Sequence, residues 1–233
     1  MSLEARVIAA LDTVYDPELD EPITTLGFVS SCVVTEAGDV SVRLRLPTPQ
    51  CAPNFAFLMG ADARAAVRRL PDVREVTIVL EDHYTGEEIN AALGRGDDFA
   101  SAFPGETAGS LDALRELFQR KALLGRQARV CQALLEEDGA TPETVLARRV
   151  ADLPDTPDAV RVAALRAALG LPHDPDAPAL IAGDGGSLTV SDLPTWLRRA
   201  RLVSLSLEAN GGMCRDLLRT RYGNTDPLKE ISP

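Results

Sequence analysis

Residues 40–46 read Val-Ser-Val-Arg-Leu-Arg-Leu, a strict alternation of apolar and polar side chains. A period of two puts Val40, Val42, Leu44 and Leu46 on one face of a strand and Ser41, Arg43 and Arg45 on the other. Such a half-buried strand needs an apolar layer over one face, so its neighbours in the chain set the class of fold. Before it, residues 28–35 read as a second strand, joined to it by a turn at Glu36–Asp39. After it, Pro47 and Pro49 end the strand. A helix is then predicted from Pro53 to Leu70, with Phe55, Leu58, Met59, Ala63, Ala66 and Leu70 inward. Pro53 suits a first helical position, where its missing N–H is not needed. A third strand over 73–80 places Val76, Ile78 and Leu80 on one face. At the start, residues 2–14 form a helix capped by Ser2 and stopped at Asp16-Pro17. The order α-β-β-α-β over residues 1–93 predicts an α/β (α+β) domain.

Residues 94–110, rich in Gly, Ser, Ala and acid, read as a linker. From 111 the periodicity is helical: 111–137, then 142–151 started by Thr141-Pro142, then 157–169 ended at Gly170. Residues 171–190 read as loop. A last helix pair covers 192–208 and 212–221, broken at Asn210-Gly211-Gly212. Residues 111–233 are thus expected to form an all-α domain.

Acidic residues outnumber basic ones by 35 to 24, a formal charge of −11. With no surplus of Lys and Arg to displace counterions from phosphates, nucleic acid is not an expected partner. The stretch Gly183-Asp-Gly-Gly186 lacks the Lys-Ser/Thr of a phosphate loop and reads as a turn. The short basic face around Trp196 reads as solvated or partner-facing. No run approaches the roughly 20 apolar residues that cross a bilayer. Glu4 and Asp12 interrupt the first apolar positions, against a signal peptide. A cytoplasmic protein with reduced cysteines is expected.

The four cysteines, Cys32, Cys51, Cys131 and Cys214, form no C-x-x-C pair. Cys32 on its strand and Cys131 within its helix read as core. Cys51 falls where the second strand's loop enters a helix. There the free N–H groups favour a thiolate, the form that binds metal. The alternative is a small buried hydrophobe. Cys214, after Asn210-Gly211, repeats that helix-start setting, and if the two halves pack face to face the two thiols converge; the alternative is a core cysteine beside Met213 and Leu217. Asp16 and Glu18 read either as a solvated helix stop or as carboxylates that orient a partner, bind iron, or bond the backbone of the thiol loop. His83, at the end of the third strand beside Glu81 and Asp82, reads as a metal ligand or as a surface histidine. His173 reads as exposed.

Two segments carry a family resemblance. Tyr15-Asp-Pro-Glu-Leu19, extending to Leu26-Gly27, and Leu46-Pro-Thr-Pro-Gln-Cys-Ala-Pro-Asn-Phe55 together resemble the SufT/PaaD-like iron–sulfur cluster assembly factors, also called metal–sulfur cluster biosynthesis proteins. The resemblance covers about residues 3–90. It matches Asp16, Pro17 and Glu18 to the family's first motif, and Thr48 and Cys51 to its thiol loop. Ala52 stands where the family places proline, and no zinc ribbon follows. Residues 81–93 and 210–223 resemble a longer subtype that accompanies di-iron monooxygenases. The resemblance implies a non-enzymatic maturation factor carrying iron or an iron–sulfur cluster as transient cargo. It also implies a client metalloprotein, a di-iron monooxygenase subunit for the longer subtype, and pairing of two copies. Cys51, Cys214 and His83 are the metal contacts to be expected, supported by Asp16, Glu18 and Thr48. A cysteine-nucleophile enzyme and a metal-free folding adaptor are the competing classes. The enzyme requires a base within hydrogen-bond reach of Cys51.

Overall fold

The computed structural model describes residues 1–106 and 110–223. Their elements are α1 (Leu3–Leu11), β1 (Val29–Val34), β2 (Asp39–Arg45), α2 (Pro53–Arg68), β3 (Glu75–Glu81), α3 (Gly86–Arg95), α4 (Phe99–Ala102), α5 (Asp112–Leu135), α6 (Pro142–Ala147), α7 (Pro157–Ala168) and α8 (Leu193–Tyr222). The fold is mixed α+β. The chain divides into two compact units, Met1–Ala113 with Asn210–Pro233, and Leu114–Ala209.

In the first unit the three strands lie in the order β1-β2-β3. β1 pairs antiparallel with β2, and β2 parallel with β3, so α2 is the crossover a parallel pair requires. The alternation that opens the sequence is realised directly: Val40, Val42, Leu44 and Leu46 are all buried. β1 does not alternate cleanly. A bulge between Val29 and Ser31 shifts its register, so Val29 and Cys32 share the core side. Val7 and Leu11 of α1, Met59 and Val67 of α2, and Ile89 and Leu93 of α3 complete the core.

Ser2 caps α1 by accepting from the Ala5 N–H at 3.2 Å, and Pro53 stands in the first turn of α2. At Leu80 the outer edge of β3 is paired by a side chain. Asn90 accepts from the Leu80 N–H at 2.7 Å and donates to the Leu80 carbonyl at 3.0 Å, imitating a neighbouring strand.

The segment read as a linker is built otherwise. α3 reaches Arg95, Asp98 caps α4, and Phe99 and Phe103 are buried in the first core with their rings 4.7 Å apart. Residues 107–109 lie outside the described residues, as do 224–233. The expected pair of C-terminal helices is one continuous helix, α8, through Asn210-Gly211-Gly212. Each glycine costs a helix about 1 kcal/mol, which packing overrides here. A Cβ on Gly211 would meet only the far end of the Glu21 side chain, which would swing aside. Residues 210–223 group with the first unit, where Leu218 is buried, whereas the sequence placed all of 111–233 together.

The second unit packs α5, α6, α7 and the first part of α8 around Cys131, Leu134, Val162, Leu165, Ile181 and Leu197. Its loop over 171–181 is held by the fully buried Arg166. That guanidinium donates to the Pro178 carbonyl and to Gln127 Oε1, both at 2.8 Å, and to the carbonyls of Pro172 and Ala179. Gln127 Oε1 in turn accepts from the Ile181 N–H at 3.0 Å.

Candidate thiol site

β2 delivers the loop 46–52, and its prolines hold the chain extended ahead of α2. Cys51 is half-buried. It is not within the helix: Ala52 is the N-cap and Pro53 follows, so the thiol precedes the cap by one residue. The loop is fastened at several points. The Cys51 N–H donates to the Thr48 carbonyl at 3.4 Å, and the Thr48 hydroxyl lies 3.5 Å from Cys51 Sγ. The Tyr84 N–H donates to the Pro49 carbonyl at 3.1 Å.

His83 makes the remaining tie. Its Nε2 lies 2.7 Å from the Cys51 carbonyl oxygen. A carbonyl only accepts, so this nitrogen carries the proton. Nδ1 is then the acceptor, with the Thr85 N–H at 3.3 Å and the Thr85 hydroxyl at 3.1 Å. The imidazole thus orients the thiol loop through its backbone, and both ring nitrogens are occupied.

Asp16 is buried, and its Oδ1 accepts from the Glu18 and Leu19 N–H groups at 2.8 and 2.9 Å. This Asx turn builds the segment between α1 and β1. Burial pushes its carboxyl up to about 6; the two N–H bonds work against that, and the charges of Glu18 and Glu21 add to it.

Cys214 lies in the interior of α8, not in a first turn. Its thiol is pushed up to about 11, by burial first and then by Asp16, Cys51 and Glu18, with Arg215 working the other way. Cys214 therefore lies within electrostatic range of Cys51, Asp16 and Glu18. The helix is clamped around this point. Arg215 pairs with Glu21, and Arg221 and the Tyr222 hydroxyl both bond Asp82, the tyrosine at 2.9 Å. Tyr222 also lies under the Arg45 guanidinium, 4.6 Å from ring centroid to Cζ. Asp82 takes positive φ, which Asp tolerates, and turns the chain into His83. None of these anchors had a signal in the sequence, because each joins residues far apart in the chain.

Cys32 and Cys131 are buried core thiols, each raised to about 11 by burial. Among the described residues no three His, Cys, Asp or Glu side chains gather as a metal-binding group. Cys51, Cys214 and His83 are thus no ready-made ligand set. Four-ligand iron–sulfur coordination would need donors from elsewhere. No helix among the described residues is long and apolar enough to cross a membrane.

The first unit is a small α/β domain that presents a thiol from the loop between a strand and its crossover helix. Residues 4–78 match the iron–sulfur cluster assembly protein family, and the chain belongs to it. An uncharacterized protein of Methanocaldococcus jannaschii is 32% identical over 93 residues, 40% of this chain and 96% of that one. The chloroplastic Fe-S cluster assembly factor HCF101 of Arabidopsis thaliana is 36% identical over 78 residues, 33% of this chain and only 14% of that protein. The family match includes Asp16, Glu18, Thr48 and Cys51; His83 and Cys214 lie beyond it.

Proposed function

We propose that this chain is a maturation factor of the SufT/PaaD-like type. It hands iron or an iron–sulfur cluster, as cargo, to a client metalloprotein. A di-iron monooxygenase subunit is the client that fits the longer subtype, and the cytoplasm the compartment. The observation that carries this reading is the fastening of the Cys51 loop by Thr48, Tyr84 and His83, which fixes a half-exposed thiol without enclosing it. A carrier needs such a ligand: one that binds and then lets go. Cys51 loses its proton on binding metal. The Asp16 turn holds the neighbouring segment, and Cys214 offers a second sulfur once its own proton is displaced. The remaining ligands come from the client or from a second chain. The helical second unit is the part that docks the client. His83 faces the Cys51 carbonyl, which weighs against its serving as the base of a thiol enzyme.

The test is anaerobic reconstitution with ferrous iron and sulfide, followed by transfer to an apo-ferredoxin. Wild type should show thiolate-to-iron absorption in the visible and release its iron to the acceptor. Cys51→Ser should lose both, and Cys214→Ser should retain less iron than wild type. Equal iron content and transfer in Cys51→Ser would refute the role of Cys51, and a wild type that holds and transfers no iron would leave the metal-free adaptor.

A further inference from the structure

Helix α8 has two distinct faces within the second unit. Leu193, Leu197, Ala200, Ser204 and Leu207 are buried against that unit's core side. Beside them Pro194, Arg198, Arg201, Leu202 and Leu205 recur at helical spacing and are exposed. Leu202 and Leu205 stand 65% and 61% exposed, too much for leucines that only complete a core. With Leu135 at the end of α5 and Pro142 at the start of α6, they line an almost wholly apolar groove of about 500 Å³. A second groove, of about 420 Å³, continues along α8 between Leu205 and Glu208 and the α5 residues Gln132 and Glu136, and shares Arg201 and Leu205 with the first. Leu205 is therefore a ridge between two grooves, the relief that another helix packs against.

The charge along this ridge names the occupant. Arg198 lies four residues before Leu202, and Glu208 three after Leu205. Arg198 and Arg201 form no ion pair among the described residues, whereas Glu208, whose side chain is more than half exposed, accepts from the Ser204 hydroxyl at 3.1 Å and lies 3.5 Å from Arg129. Read in either direction, the stripe is cation, leucine, leucine, anion against its own reverse. A second α8 laid antiparallel about a two-fold axis between Leu202 and Leu205 brings Leu202 against Leu205 of the other copy. The same operation brings Arg198 to Glu208 of the other copy, twice over. A surface complementary to itself in both shape and sign is what an isologous interface requires.

We infer that α8 is a homodimer interface, two copies pairing antiparallel through Arg198, Leu202, Leu205 and Glu208. The site is independent of the Cys51 chemistry, and Cys51→Ser leaves it intact.

Sedimentation equilibrium of the full chain tests this. Wild type should run at twice the 24.9 kDa chain mass, and Leu205→Glu as a folded monomer by circular dichroism. Arg198→Glu and Glu208→Arg, each breaking two symmetric ion pairs, should weaken the dimer roughly tenfold. Combined in one chain, they should recover it to within about threefold of wild type, because each pair is then restored with reversed sign. A monomeric wild type, a dimer indifferent to Leu205→Glu, or a double variant no tighter than the single ones would overturn the inference.

Discussion

Asp16 sits at the first family motif and is only 7% exposed. Burial raises its carboxyl from 3.8 to about 6, even though two backbone N–H groups bond the same oxygen. The folded chain therefore holds this proton more tightly than the unfolded chain does. The contribution is favourable below the unfolded value and is lost as pH rises through about 6. At neutral pH and above, the protein carries an ionised carboxylate in its interior. The shift of about two units corresponds to about 3 kcal/mol.

Asparagine keeps an Oδ1 that accepts from Glu18 and Leu19, and it has no charge to bury. Exchanging a charged acceptor for a neutral one gives back about 1 kcal/mol. Asp16→Asn should thus stabilise the protein by about 2 kcal/mol near pH 8, and the gain should vanish as pH falls to about 4. Urea unfolding of both proteins across that range reads the difference directly. Asp16→Ala, which removes the acceptor as well as the charge, should cost about 1–3 kcal/mol near pH 4, and that cost should shrink as pH rises through about 6, because the buried charge is removed with it. An asparagine variant that is less stable than wild type by a constant amount would refute the reasoning. It would mean that the two N–H bonds, not burial, dominate the carboxylate's free energy.

Two further substitutions test the anchors. His83→Phe removes the N–H that holds the Cys51 carbonyl; it should cost about 1 kcal/mol and speed alkylation of Cys51 by iodoacetamide, whereas unchanged labelling would show that Thr48 and Tyr84 hold the loop alone. Gly211→Ala adds about 1 kcal/mol of helix propensity; the methyl meets only the movable end of the Glu21 side chain, and the partly exposed pair with Arg215 is worth at most about 1 kcal/mol, so thermal denaturation should show a Tm no lower than that of wild type, and a clear drop would show that the Glu21–Arg215 pair outweighs propensity.

Periodicity carried most of the first unit. α1, β2, α2 and β3 announce themselves because burial of one face repeats at two or 3.6 residues, and that pattern is local. The segment after β3 was harder. α3 lies within Gly86–Arg95, where Ile89, Ala92 and Leu93 are too few to mark a face, and Phe99 and Phe103 sit among residues of linker composition. Asn210-Gly211-Gly212 was misleading for the opposite reason. Its local preference is to end a helix, but α8 continues, and beyond it Leu218 is buried in the first core.

By itself the sequence determined the α-β-β-α-β order and the Pro-bounded loop that carries Thr48 and Cys51. These depend on residues near one another in the chain, whose preferences act over a turn or a strand. Only the tertiary structure decided that His83 orients the loop instead of standing free as a ligand. The same holds for the return of Cys214, which comes from the interior of a helix to sense Cys51, and for the exposed leucine stripe of α8. Each of these depends on contacts between residues tens to nearly two hundred positions apart, as Arg215 with Glu21 shows. Such contacts are made only when whole elements pack, and no local pattern of residues encodes them.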